Sequence, residues 1–248
     1  DASGIKPSKN GSFTKQLLSV FQMDTLKQNP HLKELLLACC VTCAFFVPFN
    51  FYFTHLGNWL IYDIGMTAAN MGLVEGIALL LASLMTIPFA GLINKGKTPL
   101  VVFISVLTNA FGLFMIYLFV KSPADVDSAA LISAKNLPLF ISVFLVGTGY
   151  VLITQSCMIW VRGLFPEESR GQLEGVRVIS FTLIPMFVGT LIGNAIIKNT
   201  PQDQILLDVY GNPIDVPQEN LFLIAGFLVL ITLVPLYFAA KEHNKRIA

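Results

Sequence analysis

Apolar residues along this chain gather into six long runs, with the polar residues collected between them rather than alternating within them. A helix rises about 1.5 Å per residue, so about 20 apolar residues cross a hydrocarbon layer roughly 30 Å thick. The runs lie at approximately Leu35 to Tyr62, Met71 to Ile93, Pro99 to Val120, Leu137 to Val161, Leu173 to Ile197 and Leu221 to Ala240. The pattern predicts an all-α membrane protein of six transmembrane helices. Asn29 before Pro30 and Thr98 before Pro99 pair a capping side chain with a first-turn proline. The expected organisation is a linker over residues 1–30, a six-helix bundle over 31–240 and a tail over 241–248. In the linker, Phe13, Leu17, Leu18, Phe21 and Leu26 recur at helical spacing among polar residues, which predicts an amphipathic helix on the membrane surface. In the acidic loop from Lys198 to Glu219, Gly211, Asn212 and Pro213 predict a short hairpin between Leu206 and Val216. The start at Asp1, polar and without a charged-then-apolar leader, reads as that of a fragment or processed piece.

Composition agrees with lipid as the solvent: 54% of the 248 residues are hydrophobic and 12% are charged. With a cytoplasmic amino terminus, 13 of the 16 basic residues fall on the inner side, and only Lys121, Lys135 and Lys198 fall outside. Basic residues near span ends resist translocation, so both termini are expected in the cytoplasm of a multi-pass cell-membrane protein. A net charge of +1 with no basic cluster gives no case for a nucleic-acid partner.

Catalytic chemistry finds no support. There is no phosphate-binding glycine loop with lysine and no paired-histidine metal motif, so neither an enzyme nor a cofactor is expected. Cys39, Cys40, Cys43 and Cys157 lie within spans and read as small apolar residues that help helices approach. Cys39 and Cys43, one turn apart, lack histidine or carboxylate companions for a metal.

Polar side chains are unevenly spread among the spans. In span one Tyr52, His55 and Trp59 follow spacings of three and four, with Asn58 beside them; in span four Tyr150 and Thr154 share a face next to Gln155. Polar groups inside membranes face the bundle interior or a water-filled cavity. These seven residues are therefore the expected substrate-facing set, and the polar-poor spans three and six are expected to face lipid. Two charges fall within spans. Glu75 divides between interface structure and ion or proton handling, whereas Arg177 is expected to snorkel beside Glu174. Pro48, Pro88, Pro185 and Pro235 interrupt spans, as rocking or gating elements would. Ile87, Pro88 and Gly91 in span two are echoed by Ile184, Pro185 and Gly189 in span five, which points to two inverted three-helix repeats.

These residues resemble a known family. Six spans with such an echo look like the carboxy-terminal half of a twelve-helix major facilitator superfamily transporter. The inner loop Gly91, Asn94, Lys95, Gly96, Lys97 is similar to the superfamily's glycine-acid-basic-glycine-basic loop, with Asn94 in the acid's place. The run Pro166 to Gly171, with Gly175, Ile184, Pro185, Gly189 and Gly193, resembles the glycoside-pentoside-hexuronide:cation symporters, the melibiose-permease-like branch. Leu152 stands where melibiose-type members carry tryptophan, and no lysine occurs between Val178 and Ile197, so the particular sugar stays open. The resemblance implies a solute-binding wall, an amino-terminal six-helix half as partner, and a coupling cation, Na+ or H+, bound mainly in that other half. Arg170, Gly171 and Gly175, at the inner end of span five, are expected to support conformational change, with Glu75 and Arg177 as further coupling or gating residues. The expected function is cation-coupled uptake of a sugar or glycoside by alternating access. The alternatives are a superfamily transporter for another solute with proton coupling, and a non-transporting membrane subunit.

Overall fold

Hydrocarbon offers a backbone no hydrogen-bond partner, so a chain crossing it must bond its own amides and carbonyls, which a helix does locally. The computed structural model describes Lys27 and residues 29–121, 123–127, 133–166, 170–201, 206–207, 211 and 213–247, with residues 170–173, 206–207 and 214 described in backbone only. Six of its helices are long and apolar enough to span: Leu32–Asp63, Ala68–Asn94, Thr98–Phe119, Ala134–Gly163, Glu174–Asn199 and Asn220–Ile247, spans one to six. All six runs read from the sequence are present. The last helix continues past Ala240 to Ile247, through residues expected to form a separate tail. Between spans five and six, Leu206 pairs with Ile214 and Leu207 with Pro213 in a two-stranded antiparallel hairpin where the turn residues predicted one. The expected amphipathic helix over Phe13 to Leu26 lies outside the described residues.

Span one packs on spans five and six, span four packs on spans two and three, and span three packs on span six. Exchanging one with four, two with five and three with six maps this set of pairs onto itself. Each group holds three spans, so the second starts from the opposite side of the membrane. The bundle is two inverted three-helix repeats.

Lipid gives helices little hydrophobic reason to associate, so contact depends on small residues that let backbones approach. Gly189 and Gly193 lie one turn apart on span five and face span one. A Cβ on Gly189 would come within 2.4 Å of the Val47 carbonyl, and one on Gly193 within 2.9 Å of the Phe51 carbonyl. Spans three and four approach reciprocally, Gly112 meeting Ser142 and Val146 while Gly149 meets Ser105 and Asn109.

Three of the interior prolines mark breaks. Span two stops at Met85 and resumes at Ile87, with Pro88 in its new first turn and the Thr86 hydroxyl donating to the Ser83 carbonyl at 2.7 Å. Span five changes to π-helix over Ile179–Leu183 just before Pro185, and span six breaks at Thr232 before Pro235. Proline lacks the amide that an α-helix needs and crowds the preceding turn, which favours a stop or a widening of the ladder just before it. Span one passes Pro48 without a break.

The span-one/span-five contact is testable. Gly189→Ala should lower the melting temperature of the purified full-length protein, since overpacking a close contact costs about 1–3 kcal/mol. Gly72→Ala, where a Cβ would meet nothing within 4 Å, should leave it unchanged or slightly higher. Equal melting of the two variants would show that this contact does not limit stability.

Candidate functional site

Tyr52, His55 and Trp59 do share a face of span one, but most of that face turns inward. Tyr52 is fully buried, and its hydroxyl accepts a bond from Asn109 Nδ2 of span three at 3.2 Å. The same amide donates to the Val146 carbonyl of span four at 2.9 Å, so one side chain joins three spans. Trp59 is also fully buried, its ring centroid 4.6 Å from that of Phe222 in span six. His55 is buried toward span five, its Nε2 lying where a side chain on Gly193 would reach. His55 Nε2 and Trp59 Nε1 have no hydrogen-bond partner among the described residues. Asn58 is exposed, on a different stripe with half-buried Asn50 and exposed Thr54, and these two bond carbonyls of their own helix, Phe46 and Asn50, each at 2.8 Å.

In span four, Tyr150 and Thr154 are half-buried and Gln155 is exposed, with the Thr154 hydroxyl donating to the Tyr150 carbonyl at 2.7 Å. The seven expected residues thus do not form one surface. Polarity within these spans marks bonds between helices as much as it marks an open cavity. For the same reason the division into cavity-lining and lipid-facing spans is too simple. Asn109 of span three is fully buried, whereas spans two and five are the most open of the six, with 17% and 22% of their apolar windows buried.

What does converge is aromatic. The Tyr150 ring stacks on Phe49 at 4.3 Å and 9°, and Phe53 stacks on Phe49 at 4.9 Å and 16°. Two near-parallel neighbours at those distances must lie on opposite faces of Phe49, which makes a three-ring column. The column walls a cavity of about 170 Å³ where spans one, two and four meet, with Glu75, Leu79, Val143, Val146 and Gly147 around it. Glu75 is half-buried there and makes no hydrogen bond or ion pair with the described residues. On the other side Phe46 meets Tyr150 edge-on and approaches Phe181 of span five to 5.5 Å. Arg177 lies 5.8 Å over the Phe181 ring and pairs with Glu174, which also receives Arg162 Nε at 3.0 Å. Arg177 therefore has the partner expected for it. Arg170, Gly171 and Gly175 lie on the helix Arg170–Val178, which feeds directly into the π-helical turn of span five. Sequence reading missed Phe46, Phe49, Phe53 and Phe181. Their spacing carries a helical signal, but among 20 phenylalanines it does not separate a wall from a core.

A second constellation was also missed. Glu34, in the first turn of span one and 4% exposed, accepts from Trp160 Nε1 at 2.8 Å and from Arg246 Nε at 2.7 Å. His243 Nδ1 lies 2.8 Å from the same carboxylate, while its Nε2 donates to the Gly96 carbonyl at 2.8 Å. Spans one, four and six and the turn after span two are thereby tied at one point. The available signal was the i,i+3 pair His243 and Arg246 on a helix end, opposite an acid near a span start.

Among protein families, the Major Facilitator Superfamily model matches residues 35–247, most of the chain. The chain belongs to the major facilitator superfamily. No curated protein and no solved structure matches it. As a superfamily member it is a multi-pass membrane transporter of a small-molecule solute rather than an enzyme, and its six spans correspond to one half of the superfamily fold.

Removing one partner of a buried ion pair costs about 3–5 kcal/mol because the other charge is left uncompensated. Glu34→Gln should therefore lower the melting temperature by several degrees or more. Glu242→Gln, which disturbs only the solvent-side contacts to Lys33 and Lys245, should hardly move it. Thermal unfolding of both variants in one detergent makes the comparison.

Proposed function

We propose that this chain is the carboxy-terminal half of a cation-coupled sugar or glycoside symporter of the glycoside-pentoside-hexuronide:cation branch, working by alternating access against an amino-terminal six-helix half. The observation that carries this reading is the three-ring column of Phe53, Phe49 and Tyr150 beside the unpaired Glu75 carboxylate. A sugar ring has faces of C–H groups that stack on aromatic rings, and hydroxyls that donate to a carboxylate. A wall with both features takes both parts of such a molecule. The cavity of about 170 Å³ is one wall's share, completed by the other half when the two close.

In this reading Tyr150, Thr154, Gln155 and Asn58 contact or approach the solute, while Tyr52, His55 and Trp59 hold the aromatic wall from behind. Arg170, Gly171, Gly175 and Arg177 act in the conformational change, next to the π-helical turn where span five can yield. The coupling Na+ or H+ binds mainly in the amino-terminal half. The basic-residue bias supports a cell-membrane orientation with both termini cytoplasmic. A second reading, proton-coupled transport of another solute, is favoured by Glu75 alone: a carboxylate in a mostly apolar cavity without an ionic partner suits proton handling.

A site built to bond a sugar loses about 1–3 kcal/mol when one buried partner is removed, which corresponds to roughly 5- to 150-fold in affinity. Tyr150→Leu and Glu75→Gln should each weaken equilibrium binding of the transported glycoside by that range in the full-length protein. Tyr52→Phe, which loses only its bond to Asn109, should lower stability while affinity holds. Unchanged affinity in the first two variants, or no sugar bound by the native protein, would remove the sugar reading.

Orientation has its own measurement. A cysteine introduced at Asn94 should resist an impermeant thiol reagent in intact cells in which one at Asp215 reacts. The reverse pattern would place the termini outside.

A further inference from the structure

At the opposite end of the molecule from the outer hairpin, the ends of spans three and six part around the turn that follows span two. The gap between them is a groove of about 680 Å³. Its walls are apolar, with Leu100, Phe103, Leu236 and Tyr237 among them, and Lys95 and Lys97 stand at its rim.

Three observations make this groove more than a gap between helices. Neither rim lysine has a carboxylate partner among the described residues; Lys135, Lys198 and Lys241 lack one too, but Lys95 and Lys97 are the two that line this groove. The turn that carries the lysines is fixed: Gly96 has a φ of +74°, open to glycine at little cost, and its carbonyl receives the buried His243 ring at 2.8 Å. Both lysines thus flank a turn already held in place. Finally, the groove opens sideways onto apolar surface. Leu100, Phe103, Leu107 and Phe111 are 46%, 42%, 41% and 59% exposed along one face of span three, and Tyr237 is 67% exposed on span six. Phe103 lies six residues beyond Lys97, about 9 Å along the helix, the direction an acyl chain takes below a headgroup.

We propose that this groove binds an anionic phospholipid, with the phosphate between Lys95 and Lys97 and an acyl chain laid along Phe103 and Tyr237. Two unpaired lysines on a fixed turn supply the complement to the charge. The open apolar walls supply the complement to the chain, for which a free anion has no use.

The test uses the purified full-length protein and native mass spectrometry with added lipid. One phosphatidylglycerol should be retained in preference to phosphatidylcholine, and glycerol 3-phosphate at equal concentration should not displace it. The double variant Lys95→Gln, Lys97→Gln should weaken retention on the order of 30-fold, taking each lysine near a membrane surface at its usual strength. Ala240→Trp fills the groove without changing charge and should also displace the lipid, while Lys135→Gln at the other end should not. Melting temperatures of the variants confirm that each is folded. Equal retention of the two lipids, displacement by glycerol 3-phosphate, or undiminished retention by both the double variant and the filled groove would each overturn the proposal.

Discussion

One carboxylate determines how the end of the bundle that carries Leu32 and Ile247 is assembled. An ionised group buried as deeply as Glu34 is tolerated only when its desolvation is offset by partners, and three arrive from distant parts of the chain: Trp160, His243 and Arg246. Each comes from the far end of its own helix, so the bonds form only when spans one, four and six have reached their final register. A one-residue slip of any of them would rotate its partner by about 100° and leave the charge alone. The same network reaches the turn after span two through Gly96, and Asn29 Nδ2 joins the start of span one to the Leu164 carbonyl at 3.0 Å.

Further into the bundle, glycine contacts take over from charge. Gly189 and Gly193 hold span five against span one, and Gly112 and Gly149 hold span three against span four. These contacts are stiff because backbone meets backbone. The places that can give are elsewhere, at the break before Pro88, the π-helical turn before Pro185 and the break before Pro235. The first two occupy equivalent positions in the two repeats. A half built this way suits rocking as a unit, with local adjustment at these three points, of which the π-helical turn approaches the aromatic wall through Phe181 and Phe46.

The sequence made the spans legible because the bilayer imposes a length that composition must meet, and it made the inverted repeats legible through the echo of Pro88 and Pro185. It did not reveal which face of a span looks where. Tyr52 and Trp59 are spaced as a substrate face would be, yet Asn109 and Phe222 claim them from the inside, and neither partner is predictable from span one alone. Phe49 and Phe53 were hidden by their chemistry, since an apolar ring in an apolar run reads as core wherever it sits. Glu34 was hidden by position, since an acid in the first turn of a helix already has an ordinary explanation in the helix dipole.

Glu34 and Glu75 together separate structure from function more sharply than either does alone. Both are carboxylates on membrane-spanning helices, and both face a cost for losing water. Glu34 is surrounded by three partners from spans four and six, and nothing about it calls for a ligand. Glu75 lies among Phe49, Phe53, Leu79, Val143 and Tyr150 and makes no hydrogen bond or ion pair with the described residues. A protein that can satisfy one intramembrane carboxylate this thoroughly could bury or remove the other, and in the proposed reading the unpaired carboxylate against an aromatic wall keeps its bonding capacity for a solute or a proton. That asymmetry, rather than the count of polar residues in any span, is what supports the proposed solute site where spans one, two and four meet.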